Sequence, residues 1–134
     1  MAFDRPHFRD LFYQECDRCL AGFDEAVAGL ASDDDEGSAI SVAFRMIHTI
    51  SGNAAIVGFD EVTTFSKQLE AFLHDLRSAE ESLTGEVLET LAEGRSVLGA
   101  LIEARKAEEA FDPQTVERAT RRLAALRSKI ENAG

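Results

Sequence analysis

The fold is decided by residues 40–76, ISVAFRMIHTISGNAAIVGFDEVTTFSKQLEAFLHDL, in which two apolar helical patterns flank Gly58. In both patterns the apolar residues recur at intervals of three and four, as on one face of an amphipathic helix. They are Ile40, Ala43, Phe44, Ile47, Ile50, Ala54 and Val57, followed by Val62, Phe65, Leu69, Phe72, Leu73 and Leu76. The break between the two patterns is short and contains Gly58, so we predict an antiparallel helix pair with a left-handed glycine cap.

Three further amphipathic patterns complete the chain, one before this pair and two after it. The last pattern follows Asp112-Pro113, an N-cap residue followed by proline at the first helical position. The predicted helices span about 6–31, 39–57, 60–78, 84–107 and 113–131. We therefore expect one all-α domain over residues 1–134, an up-down-up-down four-helix bundle with a fifth, C-terminal helix packed on its outside.

Composition narrows the range of partners. The chain has 134 residues, 45% of them hydrophobic and 29% charged, as in soluble globular domains. Its 25 acidic and 14 basic residues give a formal charge of −11, which disfavours nucleic acids and anionic membranes as partners. It lacks a run of roughly 18 uninterrupted apolar residues and an apolar signal-peptide run. We expect a cytoplasmic protein without membrane insertion.

Cys16 and Cys19 form a C-x-x-C pair that requires separate consideration. A redox pair usually opens the helix after a strand, and a zinc site needs two further ligands nearby. Neither context is present, and both cysteines lie within the apolar pattern of the first helix. We therefore expect them to pack in the core, and we predict no metal site.

His48 is the most informative polar residue of the second helix. At about 100° per residue, it lies on the flank of this helix, about 100° from the core-facing Ile47. Arg45 and Gly52 lie on the same flank, so the imidazole is predicted to reach solvent. A glycine inside a helix costs about 0.5–1 kcal/mol relative to alanine. We interpret Gly52 as clearance for a group bonded to the imidazole or for a partner protein.

Glu70 is predicted to face His48 from the third helix. His48 comes ten residues before Gly58 and Glu70 twelve after it, both roughly 15–18 Å along antiparallel axes. A glutamate that accepts a hydrogen bond from Nδ1–H would leave Nε2 unprotonated and nucleophilic. Lys67, one turn nearer Gly58, is a candidate for neutralising an anionic group on that nitrogen. From geometry alone, a surface histidine beside an unrelated glutamate explains the pattern equally well.

The local sequence around these residues favours a functional site. The matching segments are His48-Thr49-Ile50-Ser51-Gly52-Asn53-Ala54, Gly58-Phe59 and Leu69-Glu70-Ala71-Phe72-Leu73. Together they resemble the histidine phosphotransfer (HPt) domain, in particular the N-terminal domain of CheA-type chemotaxis kinases. The resemblance extends more loosely to the other helices. In the family motif His-x-(Ile/Leu)-Lys-Gly, Ser51 takes the place of the lysine, which removes a positive charge that Lys67 is proposed to replace.

The resemblance implies a phosphocarrier of a two-component, chemotaxis-type signalling system. Nε2 of His48 would accept the γ-phosphoryl group of ATP from a kinase domain and donate it to an aspartate of a response regulator. Glu70 matches the family's orienting glutamate, and Gly52 its clearance glycine. The implied partners are a CheA-type kinase domain, in the same or another chain, and a CheY- or CheB-like regulator. We expect this sequence to be the front of a longer sensor kinase in a chemoreceptor cluster.

The sequence contains no nucleotide-binding motif such as G-x-x-x-x-G-K-[ST] and no carboxylate cluster suited to magnesium. Kinase activity is therefore expected from another domain, and ATP and Mg²⁺ from the kinase domain and the regulator. Ile56 lies about 180° from the core direction and is a candidate anchor for the regulator. The predicted partner surface comprises Arg45, Ser51, Gly52 and Ile56. The alternative is a helical docking or dimerisation module without phosphotransfer.

Overall fold

The computed structural model describes residues 5–30, 36–78 and 84–133. Within these ranges the chain forms α1 (Arg5–Leu30), α2 (Glu36–Val57), α3 (Asp60–Ser78), α4 (Gly85–Ala107) and α5 (Pro113–Ala133). No strand occurs in the described ranges. The all-α class and the five predicted helices are confirmed.

The largest difference from the predicted bounds is the start of α2, which begins at Glu36 rather than near residue 39. The apolar pattern of this helix begins only at Ile40, because the acidic residues 32–37 include no apolar side chain that could mark a buried face. The first turn of a helix needs no buried face, so the helix extends into this segment. Residues 31–35, which include most of this acidic run, lie outside the described residues.

The bundle is built from neighbouring antiparallel helices. Helix α1 packs against α2, α2 against α3 and α3 against α4, and α4 closes the ring against α1. Helix α5 packs on the outside, against α3 and α4. The largest fully buried side chains include Phe23, Ile47, Ile50, Phe65, Leu69, Phe72, Leu73, Leu91, Leu98, Leu101 and Leu123. This arrangement confirms the predicted four-helix bundle with an outer fifth helix.

The turn between α2 and α3 has the predicted glycine cap. Gly58 has a φ of 80°, a left-handed conformation that glycine adopts without steric penalty. The Phe59 amide donates to the Ala54 carbonyl at 3.0 Å, which closes the end of α2. The Phe59 ring packs edge-on against Phe12 of α1, with 5.4 Å between the ring centroids. The turn is thereby held against the first helix, which fixes how α2 and α3 lie against each other.

Helix α4 approaches α3 closely at Gly94. A Cβ atom at this position would lie 2.9 Å from Cδ1 of Leu69, a side chain that is fully buried. The contact explains a glycine in the middle of α4, where helix propensity alone disfavours it. Because Leu69 precedes Glu70, this packing also determines the position of Glu70 on the neighbouring face.

Cys16 and Cys19 are both free and buried in the core, as predicted. Burial raises the pKa of the Cys16 thiol to about 12, with a smaller contribution from neighbouring Cys19. Burial likewise raises the pKa of Cys19. Both thiols are therefore held in the protonated form, which is a poor nucleophile and a poor metal ligand.

Helix α2 contains a segment, Ser38–Val57, that is long and apolar enough to cross a membrane by length and composition, with a mean hydropathy of 1.3. Its apolar residues Ile40, Ala43, Ile47, Ile50 and Ala54 are buried in the bundle. The core helix of a soluble bundle meets the same criterion, so this segment is weak support for a membrane span.

Candidate functional site

His48 projects from the middle of α2 into solvent, and its side chain is 68% exposed. The neighbouring Ile47 is fully buried, so the rotation of α2 about its axis is set by the core. A histidine one residue further is turned out of the core by about 100°. The exposure predicted for the imidazole is observed.

Glu70 of α3 fixes the orientation of this imidazole. Its Oε1 lies 2.7 Å from Nδ1 of His48, although the two residues are 22 positions apart in the sequence. A carboxylate only accepts hydrogen bonds, so Nδ1 carries the proton and donates it to Glu70. In the neutral imidazole this tautomer leaves Nε2 unprotonated, with its lone pair in the ring plane on the side away from Glu70. The geometry provides an exposed nucleophilic nitrogen.

Phe44 supports the face of the same imidazole ring. The two rings are stacked with centroids 6.0 Å apart and an interplanar angle of 8°. The Arg77 guanidinium lies 4.5 Å from the centroid of the Phe44 ring, a cation–π contact. Phe44 is half-buried, whereas the sequence pattern assigned it to the core. Glu70 and Phe44 together restrain the imidazole at one edge and on its face.

Gly52 leaves open space one turn beyond His48. A Cβ atom at this position would have no contact within 4 Å. Packing in the bundle therefore does not require a glycine here, in contrast to Gly94. The absence of a steric constraint agrees with the predicted role of clearance beside the ring.

An open cavity of about 580 Å³ surrounds these residues. Its walls come from three helices, and the described residues that line it include His48, Gly52, Lys67, Glu70, His74 and Arg127. Lys67 and His74 are exposed on the face of α3 that carries Glu70. Helix α5 contributes Arg127. Nε of Arg127 donates to Oδ2 of Asp75 at 2.8 Å.

The remaining predicted partner residues differ in their exposure. Ile56 is 66% exposed and, like Arg45, lies on the solvent side of α2. Ile56 also lines a second open cavity between α1 and α2, together with the half-exposed Phe8 and Leu11. These three are the large exposed apolar side chains of the described residues. They form an apolar patch between α1 and α2, and none of the three lines the His48 cavity.

The chain matches the family model "Hpt domain" over residues 7–132. It belongs to the Hpt domain family. This match covers most of the sequence and confirms the resemblance found in the segments around His48 and Glu70.

Curated relatives of this Hpt domain include the chemotaxis protein CheA of Rhizobium meliloti (strain 1021), which is 26% identical over 123 residues. That match covers 92% of this chain and 16% of the relative. CheA of Salmonella typhimurium (strain LT2) is 25% identical over 117 residues, 87% of this chain and 17% of the relative. The chain therefore spans about one sixth of the length of these relatives.

A similar solved structure is that of the phosphorylated P1 domain of CheA3 in complex with CheY6 from R. sphaeroides. The two domains superpose with a TM-score of 0.79 at 22% sequence identity, over 96% of this chain and 98% of the other. This likeness shows that the two chains share a fold.

Ser51 requires a correction to the predicted partner surface. Its side chain is only 3% exposed, which does not fit a direct contact with a partner protein. Ser51 follows Ile47 by four residues and so lies about 40° from the core direction, because each residue turns the helix by about 100°. In this Hpt domain it forms part of the cavity wall beneath His48.

Two contributions to the site were missed by sequence reasoning. Phe44 has the spacing of a core residue, and nothing in the pattern distinguishes the edge of an apolar stripe from its centre. Arg127 lies 79 positions after His48 in the chain, and its place in the cavity depends on how α5 packs against α3. A helical wheel of α5 alone contains no signal for this contact.

Proposed function

We propose that this Hpt domain is a phosphocarrier in which Nε2 of His48 is the phosphorylated atom. The 2.7 Å hydrogen bond between Nδ1 of His48 and Glu70 carries the proposal, because it selects the neutral tautomer in which Nε2 bears the lone pair, on a side chain that is 68% exposed. Phosphoryl transfer depends mainly on positioning and charge stabilisation, so an oriented imidazole suffices on this side of the reaction.

Nε2 of His48 gains the phosphoryl group in one step and loses it in a second. Its lone pair forms a bond to the γ-phosphorus of ATP while the bond from that phosphorus to the bridging oxygen breaks, and ADP leaves. The ring gains positive charge, which the Glu70 carboxylate stabilises through Nδ1–H. In the second step an aspartate oxygen of a response regulator bonds to phosphorus, the N–P bond breaks, and the electron pair returns to Nε2.

The other reactants are assigned to partner domains. The sequence offers no motif for ATP and no carboxylate cluster for Mg²⁺, so we assign ATP to a CheA-type kinase domain and Mg²⁺ to that domain and the regulator. The kinase domain belongs to the same chain or to another. The relatives are about six times longer than this chain, which supports a longer sensor kinase.

The response regulator is assigned to the α1–α2 side of His48. The P1 domain of CheA3 was solved with CheY6, which supports a CheY- or CheB-like regulator as the partner. The exposed Ile56 and the neighbouring Phe8 and Leu11 provide an apolar anchor, and Arg45 a cation for the acidic site of a regulator. We place the system in the cytoplasm, at a chemoreceptor cluster.

The proposal is tested by incubation with labelled ATP and the kinase domain of a CheA-type protein. We expect acid-labile, base-stable label that is lost in His48→Gln and passes to a regulator on chase. His74→Gln is the matched control, because it removes an exposed imidazole from the same cavity and should leave labelling unchanged. A folded wild-type domain that takes no label would instead favour the docking or dimerisation module.

A further inference from the structure

The charge of the His48 cavity differs from the charge of the chain. The protein carries a formal charge of −11, but the cavity is lined by two permanent cations, Lys67 and Arg127. Glu70 is the one acidic side chain among the described residues that line it, and it is hydrogen-bonded to His48. Permanent cations outnumber acidic side chains among these lining residues, and Asp75, which pairs with Arg127, lies outside the lining. This arrangement favours an anionic occupant.

The cations come from α3 and α5 and not from the helix that carries His48. The residues of α2 that line the cavity are Phe44, His48, Ser51, Gly52 and Ala55, none of which is permanently charged. An anion bonded to Nε2 would thus meet Lys67 from the neighbouring helix α3 and Arg127 from the outer helix α5.

Asp75 holds Arg127 at the cavity through one side of its guanidinium. The hydrogen bond runs from Nε of Arg127 to Oδ2 of Asp75 at 2.8 Å, and the two side chains are 32% and 17% exposed. Guanidinium has five N–H donors, and this bond uses one of them. The terminal amino groups remain available to an anion, and a planar guanidinium suits the bidentate binding of phosphoryl oxygens.

We propose that Arg127 binds the phosphoryl group carried on His48, with Asp75 as the residue that positions it. This inference rests on the proposed function and adds a role for α5, whose contacts otherwise lie with α3 and α4 outside the bundle. Arg127 stabilises the phosphorylated form of the domain, because the terminal amino groups that Asp75 leaves unused gain an anionic partner when His48 is phosphorylated.

The test measures the equilibrium of phosphoryl exchange between His48 and the aspartate of a response regulator. This ratio of free species does not depend on how tightly the two proteins dock. Arg127→Ala should shift it away from His48 by about threefold to tenfold, the range expected for one charge-assisted hydrogen bond at a partly exposed site. Arg127→Lys retains the positive charge but loses the paired N–H donors of the guanidinium group. It should shift the equilibrium by a smaller factor.

Arg122→Ala is the matched control on the same helix. Arg122 is 39% exposed and pairs with Glu93 of α4 at 2.7 Å, so its removal also breaks an ion pair that holds α5. It does not line the His48 cavity. We expect Arg122→Ala to leave the equilibrium unchanged, and thermal unfolding of both variants shows whether α5 remains docked.

The outcomes separate this inference from the proposed function. Equal equilibria for wild type, Arg122→Ala and Arg127→Ala would overturn the role of Arg127 and leave His48 as the carrier. An equal shift in both alanine variants would also overturn it, since the effect would then come from docking of α5. Failure of the wild type to accept phosphate from the kinase domain would overturn the proposed function itself, and this inference with it.

Discussion

The same glycine-to-alanine change should have opposite effects at Gly52 and Gly94. Both glycines lie inside helices, where alanine is favoured by about 0.5–1 kcal/mol. At Gly52 the new methyl group has no neighbour within 4 Å, so the whole helix-propensity gain should appear in the free energy of unfolding. We expect Gly52→Ala to raise the free energy of unfolding by about 0.5–1 kcal/mol.

At Gly94 the methyl group would lie 2.9 Å from Cδ1 and 3.7 Å from Cδ2 of Leu69. Leu69 is fully buried, so it moves only at the expense of its neighbours. Overpacking of this kind costs about 1–3 kcal/mol. After subtraction of the helix-propensity gain of about 0.5–1 kcal/mol, Gly94→Ala should lower the free energy of unfolding by up to about 2.5 kcal/mol.

Urea unfolding of the two variants and the wild type, followed by circular dichroism, measures both effects. A change of the same sign in both variants would refute the packing argument. The comparison also bears on the site: if Gly52→Ala is stabilising, stability cannot explain the glycine beside His48. A substitution with a larger side chain, Gly52→Leu, should then slow phosphorylation of His48 without unfolding the domain, because the side chain would occupy the space beside the imidazole.

Three further predictions concern the surface, the cavity and the core. Ile56→Asp should weaken binding of a response regulator and leave the helical content unchanged, because its side chain is 66% exposed; an unaltered affinity in a titration would contradict its role as an anchor. Lys67→Ala should slow transfer to His48 severalfold through the loss of a cation from the cavity, and transfer at the wild-type rate would exclude Lys67 from the reaction. Burial raises the pKa of Cys16 to about 12 from a value of 9.0, so its thiol ionises more readily in the unfolded chain. The contribution of Cys16 to the free energy of unfolding should therefore be complete below pH about 9 and be lost from there toward pH about 12, and Cys16→Ala should lessen the decline of stability in this range.

Much of the fold could be predicted because local sequence specifies it. Gly58 marks the turn by its left-handed φ, and Asp112 caps α5, where its Oδ1 accepts from the Gln114 amide at 2.9 Å. Apolar periodicity located the helices, since each buries one face. The start of α2 was missed because the first turn of a helix need not bury a side chain.

The pairing of His48 with Glu70 could be predicted from helix geometry alone. A common turn and a rise of about 1.5 Å per residue set both residues at the same height. The contribution of Arg127 could not be predicted, because it depends on the rotation of α5 against α3. The burial of Ser51 follows from the same helical geometry that places His48 at the surface, because Ser51 lies about 40° from the core direction. Its surface role was inferred from its position in the family motif, which carries no information on burial.

The central claim is that Nε2 of His48 carries the phosphoryl group while Nδ1 stays bonded to Glu70. NMR of the phosphorylated domain with ¹⁵N-labelled histidine, which correlates each ring nitrogen with phosphorus, tests it directly. We expect phosphorus coupling at Nε2 of His48, with the proton retained on Nδ1. Coupling at Nδ1, or a phosphoryl group on another residue, would contradict the account.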